Sequence, residues 1–91
     1  MEATFVKDLD NFIGTAKLWV LSEPITYDED EETEYVATSA VDAPYTGPET
    51  YIFPCDEQGN VLSWGELPGS FRGSLDHDQA IARLLAPGLL A

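Results

Sequence analysis

Six carboxylates in seven consecutive residues, Asp28, Glu29, Asp30, Glu31, Glu32 and Glu34 with Thr33 between the last two, constrain the fold more than any other feature of the chain. Ionised side chains at that density cannot be buried without partners, because removing a carboxylate from water costs several kcal/mol. The 91-residue sequence offers four Lys and Arg against 17 Asp and Glu, a formal charge of -13. The run must therefore stand in water, and the core must come from the segments on either side of it. Those segments suffice: 44% of the residues are hydrophobic and 11% are aromatic, above the composition that leaves a charged chain disordered. A chain this short supports one core, so a single acidic domain over residues 1–91 is expected.

Phe5, Leu9, Phe12 and Ile13 recur at a spacing that predicts a short N-terminal helix over residues 3–13, with Asp10-Asn11 as an alternative turn. Residues 16–21, Ala-Lys-Leu-Trp-Val-Leu, read as a strand that Pro24 ends or places at an edge. Past the acid run, residues 35–41 form a second strand, with Val36, Thr38 and Ala40 on one face and Tyr35, Ala37, Ser39 and Val41 on the other. The acid run is then the connection between the two strands. A third strand is expected over residues 50–53 and a fourth over 60–64. Between them lies a hairpin turn in which Gly59 takes the positive φ. Residues 43–48 and 67–73 are rich in Pro and Gly and read as loops. Asp76, followed by Gln79, predicts a capped helix with Ile81, Leu84 and Leu85 as its apolar stripe and Pro87-Gly88 as its stop. The tail, residues 89–91, is open to docking or fraying. The sum is an α+β domain: a small, mainly antiparallel sheet of about four strands with a C-terminal helix and the short N-terminal one. Trp19, Tyr51, Phe53 and Trp64 are expected mostly inside, and Tyr45 outside.

One Cys and one His make a structural zinc site untenable, and no metal or cofactor is expected. Cys55 reads as a small buried hydrophobe, and Asp76, His77 and Asp78 as a helix cap and first turn, so no catalytic residue is assigned. Gly65, Gly69 and Gly73 lack the Lys-Ser or Lys-Thr of a phosphate loop. The charge repels nucleic acid and anionic lipid. No apolar run reaches the length of a membrane span, and residues 1–11 lack the character of a secretory signal. With one cysteine, a reducing cytoplasm is the expected compartment.

The segments Thr46-Gly47-Pro48-Glu49-Thr50-Tyr51-Ile52-Phe53-Pro54, Trp64-Gly65-Glu66-Leu67-Pro68-Gly69-Ser70 and Gly73-Ser74-Leu75-Asp76-His77 resemble a family of small proteins encoded by phages, prophages and their bacterial hosts. Phe5-Val6-Lys7-Asp8-Leu9, Ser39-Ala40 and residues 18–24 are similar to it as well. The resemblance implies no specific activity. It does imply a bacterial cytoplasm and, by analogy, inhibitors of host nucleic-acid machinery of the anti-CRISPR or anti-restriction kind. The acid run and Cys55 depart from the family pattern.

Six charges extended at about 3.3 Å per residue have a linear density like that of one DNA strand. The expected function is thus a non-enzymatic interaction protein, a nucleic-acid mimic whose acid run, Asp28 to Glu34, binds a basic protein of a host nucleic-acid-binding complex. Tyr45 is a further contact. The alternative is a structural or assembly module that binds a protein partner through the loops at 43–49 and 67–73, with Tyr45, Phe71 and Arg72 exposed. Acidic loops also serve solubility alone. Chemistry by His77 with nearby carboxylates is a remote third reading.

Overall fold

The computed structural model describes residues 2–10, 12, 14–45, 47–65, 67 and 69–85, with Ala43 through its backbone alone. Five strands, β1 (Ala3–Leu9), β2 (Thr15–Tyr27), β3 (Glu31–Ala43), β4 (Gly47–Cys55) and β5 (Phe71–Arg72), form one antiparallel sheet in the order of the chain, followed by helix α1 (His77–Leu85). The α+β reading holds, with five strands in place of four. The stop at Pro87-Gly88 and the tail at 89–91 lie outside the described residues.

The N-terminal helix is a strand. Its apolar spacing imitates a helix because Val6 is an extra residue: Phe5 pairs with Trp19 and Lys7 with Leu18. The bulge reverses the alternation, so Phe5 lies on the side of Trp19 and Leu9, opposite Ala16, on the other. Pro24 does not end β2 either. The ladder between β2 and β3 breaks between Val20 and Ile25 and then resumes, with Ile25 opposite Thr33. A residue without an N–H fits in that unpaired stretch, as it would at an edge.

The fourth strand expected over residues 60–64 does not form. One bridge joins Val61 to Cys55, and Leu62 N donates to Pro54 O at 2.9 Å, after which the chain leaves the sheet. The turn before it is as expected in one respect: Gly59 has φ +90° and donates to Asp56 O. Asp56 Oδ1 accepts from the N–H groups of Gln58 and Asn60, each at 2.9 Å. Phe71 and Arg72, expected in a loop, pair with Thr50 and Glu49 instead.

Both faces of the sheet are covered at its centre. On one, Trp19, Leu21, Val36 and Ile52 pack with Leu67 and with Ala80, Ile81 and Leu84 of α1. On the other, Leu18, Ala37 and Cys55 are buried beside Leu9, Phe12 and Tyr35. The alternation read in β3 is thus realised, with apolar residues serving both sides. Asp76 Oδ1 accepts from Gln79 N at 2.9 Å, the expected cap; Asp76's own N–H donates to Thr50 Oγ1 at 3.1 Å, which fixes the helix start to β4.

Gly69 allows the loop to pass between sheet and helix. A Cβ there would stand 2.7 Å from Ala80 O and 2.8 Å from Ile52 Cδ1, and its φ is +111°. Gly69→Ala should therefore cost more than about 1 kcal/mol of unfolding free energy. Urea denaturation measures it, and an unchanged midpoint would contradict this seating of the helix.

Candidate functional site

The acid run begins as a turn and continues as a strand. Asp28, Glu29 and Asp30 round the tip between β2 and β3, and Glu31, Glu32 and Glu34 belong to β3, with Glu31 opposite Tyr27 and Glu32 opposite Thr26. All six carboxylate residues are exposed. The expectation that the whole run is a connecting loop is corrected accordingly. Charge repulsion tolerates a ladder whose opposing residues are neutral: Tyr27, Thr26 and Ile25 face Glu31, Glu32 and Thr33, so on these rungs no two carboxylates sit directly across from one another. A 23 Å strip of six charges is not formed. The charges gather around one hairpin end.

The tip is tightly wound. Asp28 (φ +45°) and Glu29 (φ +71°) both adopt left-handed backbone, which costs a residue with a Cβ about 1 kcal/mol or more. Asp30 N donates to Asp28 O at 2.8 Å, and Asp28 Oδ1 accepts from Ser63 Oγ at 3.3 Å. The Tyr27 phenol is pushed above its ordinary value, first by burial and then by the Glu31 and Asp28 carboxylates.

Three of the four Lys and Arg side chains are engaged elsewhere. Lys17 Nζ lies 5.7 Å from the centre of the Phe5 ring, the Arg83 guanidinium is 4.6 Å from that of Phe71, and Arg72 Nε is 3.4 Å from Glu49 Oε1. Lys7 stands opposite Leu18 at the sheet's first strand. None of them pairs with the hairpin carboxylates.

Tyr45 is fully exposed at the bend after β3. Phe71 is half-buried against the helix-side core and covered by Arg83, so it is a poor anchor for a partner. Arg72 remains exposed beside Glu49, and Glu49 also accepts from the Tyr51 phenol. The hydrogen bond to Glu49 leads the causes that raise the Tyr51 phenol above its ordinary value. Trp19 is buried, and Tyr51 and Phe53 are half-buried, but Trp64 is 70% exposed, contrary to expectation. The missing fourth strand is the cause, because Trp64 leaves the sheet with its segment. Leu62, Ser63 and Trp64 alternate as a strand would, so the neighbouring Gly65 was the local signal against one.

His77 is held by both ring nitrogens. Trp19 Nε1 donates to Thr38 Oγ1 at 2.9 Å; Thr38 Oγ1 is 2.6 Å from His77 Nδ1, and Thr15 Oγ1 is 3.0 Å from His77 Nε2. The indole can only donate, so the fully buried Thr38 Oγ1 accepts from it, and the imidazole tautomer sets the direction of the Thr38–Nδ1 and Thr15–Nε2 bonds. Burial, followed by Lys17, lowers the His77 pKa from its ordinary 6.5, against the opposing pull of Asp78, Asp76 and Asp8. Among the described residues, no group of three or more His, Cys, Asp and Glu side chains is placed to hold a metal ion. No described helix is long and apolar enough to cross a membrane.

No family model matches this chain, and neither a curated protein nor a solved structure matches it.

Two outcomes follow from this geometry. Since the folded His77 takes up a proton less readily than the unfolded one, its contribution to stability is present above pH 6.5 and is lost as pH falls through the lowered value. The wild type should therefore lose stability relative to His77→Gln over that window in urea titrations, and parallel pH profiles would contradict the bonding pattern. Burial, assisted by Asp56, pushes the Cys55 thiol up to about 12. The native protein at neutral pH should accordingly react with a thiol reagent far more slowly than the unfolded chain, and equal rates would refute it.

Proposed function

We propose that this protein is a non-enzymatic interaction module whose acidic hairpin, residues 28–34, binds a basic protein of a host nucleic-acid-binding complex. The supporting observation is that all six carboxylate residues stand exposed at one hairpin end while Lys17, Arg72 and Arg83, three of the four Lys and Arg side chains, are occupied elsewhere. Concentrated charge of this kind accelerates encounter with a basic surface and weakens with salt. The hairpin end suits a compact basic pocket better than a long groove, so the mimicry of nucleic acid proposed here is of a local phosphate cluster. With the resemblance to phage and prophage proteins, this reading extends to an inhibitor of the anti-CRISPR or anti-restriction kind acting in a bacterial cytoplasm.

A second reading, an assembly module binding through the Pro/Gly-rich loops, is favoured by Tyr45, whose side chain is wholly exposed. It is weakened by the cover over Phe71.

The two are separated by capture from a lysate of the native host at low and high salt. The wild type should retain a basic protein at low salt and release it at high salt. A variant with Asp28, Glu29, Asp30, Glu31, Glu32 and Glu34 changed to Asn or Gln should lose it. A variant of equal charge, neutralised at the exposed Glu2, Asp8, Asp10, Glu23, Asp42 and Glu57, should keep most of it. Retention by the hairpin variant at every salt concentration, with loss on Tyr45→Ala, would reverse the assignment.

A further inference from the structure

The face of the sheet away from α1 carries a large ring that the fold leaves open. The exposed indole of Trp64 lies edge-on against Phe53, with ring centres 5.3 Å apart at 69°, and against Phe12, at 6.2 Å and 63°. Phe12 and Phe53 stack on one another at 6.5 Å. Two rings thus support the indole and leave most of its surface to water. An aromatic held in this way offers contact area at little cost in side-chain freedom, a property of interface anchors.

Two further observations indicate what would cover it. Ser63, the residue before Trp64, donates to Asp28, so the segment bearing the indole is tied to the acidic hairpin. The cation–π pairs within the chain fall on other rings, Phe5 and Phe71, while Arg72 is engaged by Glu49. A second copy of this chain is a poor occupant, because each would bring a charge of -13. The complementary occupant is cationic. Guanidinium groups are planar and weakly hydrated, and they lie on aromatic faces more readily than ammonium groups do.

We propose that Trp64 receives an arginine side chain from a basic protein segment, whose flanking basic residues reach the hairpin carboxylates. This rests on the acidic-hairpin reading and adds to it an anchor that is not itself charged. The two contributions differ in salt dependence: the hairpin sets the slope of affinity against salt, and Trp64 shifts affinity at every salt concentration.

The test uses a labelled nona-arginine peptide, with nona-lysine in parallel, titrated against the full chain by fluorescence anisotropy over a range of salt. Trp64→Ala should weaken nona-arginine by about 2- to 30-fold, the span of a cation–π contact, with an unchanged salt slope. Trp64→Phe should weaken it less, and nona-lysine should be affected less than nona-arginine. The six-carboxylate hairpin variant should flatten the slope for both peptides. If Trp64→Ala binds nona-arginine as the wild type does while the hairpin variant loses it, the anchor is refuted and the hairpin reading stands. If the charge-matched control loses as much binding as the hairpin variant, the hairpin reading fails. Circular dichroism of each variant confirms the fold.

Discussion

Six consecutive rungs, residues 15–20 of β2 against 35–40 of β3, hold two hydrophobic layers apart and in place. Trp19 and Val36 face α1, while Leu18 and Ala37, one step along each strand, face the opposite side. A slip of one residue would exchange the two sets and put Thr38 on the wrong side, away from the indole and imidazole that satisfy it. The register is thus fixed by polarity as well as by apolar contact. Thr38 is fully buried, and its hydroxyl has both a donor in Trp19 and a second partner in His77. A half-satisfied hydroxyl in that position would cost about 1–3 kcal/mol, a large fraction of the stability of a small domain.

The same ladder explains how a strongly acidic chain folds compactly. The carboxylates that repel most are placed where the ladder ends, and the residues opposite them are neutral. What remains at the centre is small and apolar, with Ala16, Ala37 and Ala40 letting the two layers approach the backbone closely. The polar exceptions at the centre, such as Thr50, bind loops and helix to the sheet: Thr50 Oγ1 donates to Ser74 O and accepts from Asp76 N. The helix is therefore positioned by β4 at its first residues and by Gly69, which admits the loop beneath it.

Much of this is legible in the sequence, and the exceptions share a cause. The alternation in β3, the cap at Asp76, the turn at Gly59 and the exposure of Tyr45 follow from local chemistry and are found in place. The misreadings arise where the ladder is irregular. The bulge at Val6 converts a strand's period of two into a spacing that looks helical. The break around Pro24 hides the continuation of β2, and a single bridge at Val61 replaces the strand that Val61 and Leu62 suggest. Such irregularities depend on pairing with distant segments, which one segment's own pattern does not record. The position of Trp64 belongs to this class, since its exposure follows from a strand that fails to form. The charge of the hairpin was plain from composition; its concentration at one end required knowledge of where the turn falls.

The unpaired stretch between Val20 and Ile25 has a consequence for how the molecule can change. The inner ladder is complete without the outer one, and residues 25–33 add rungs beyond the joint. Ile25 and Tyr27 still pack against the core and Thr33 Oγ1 donates to Cys55 O, so the separable part is the tip, residues 28–32: its charge and turn geometry can be rewritten while the rungs that hold Trp19 and Val36 stay as they are. A scaffold built in this way can diversify what it presents at one end without renegotiating its core.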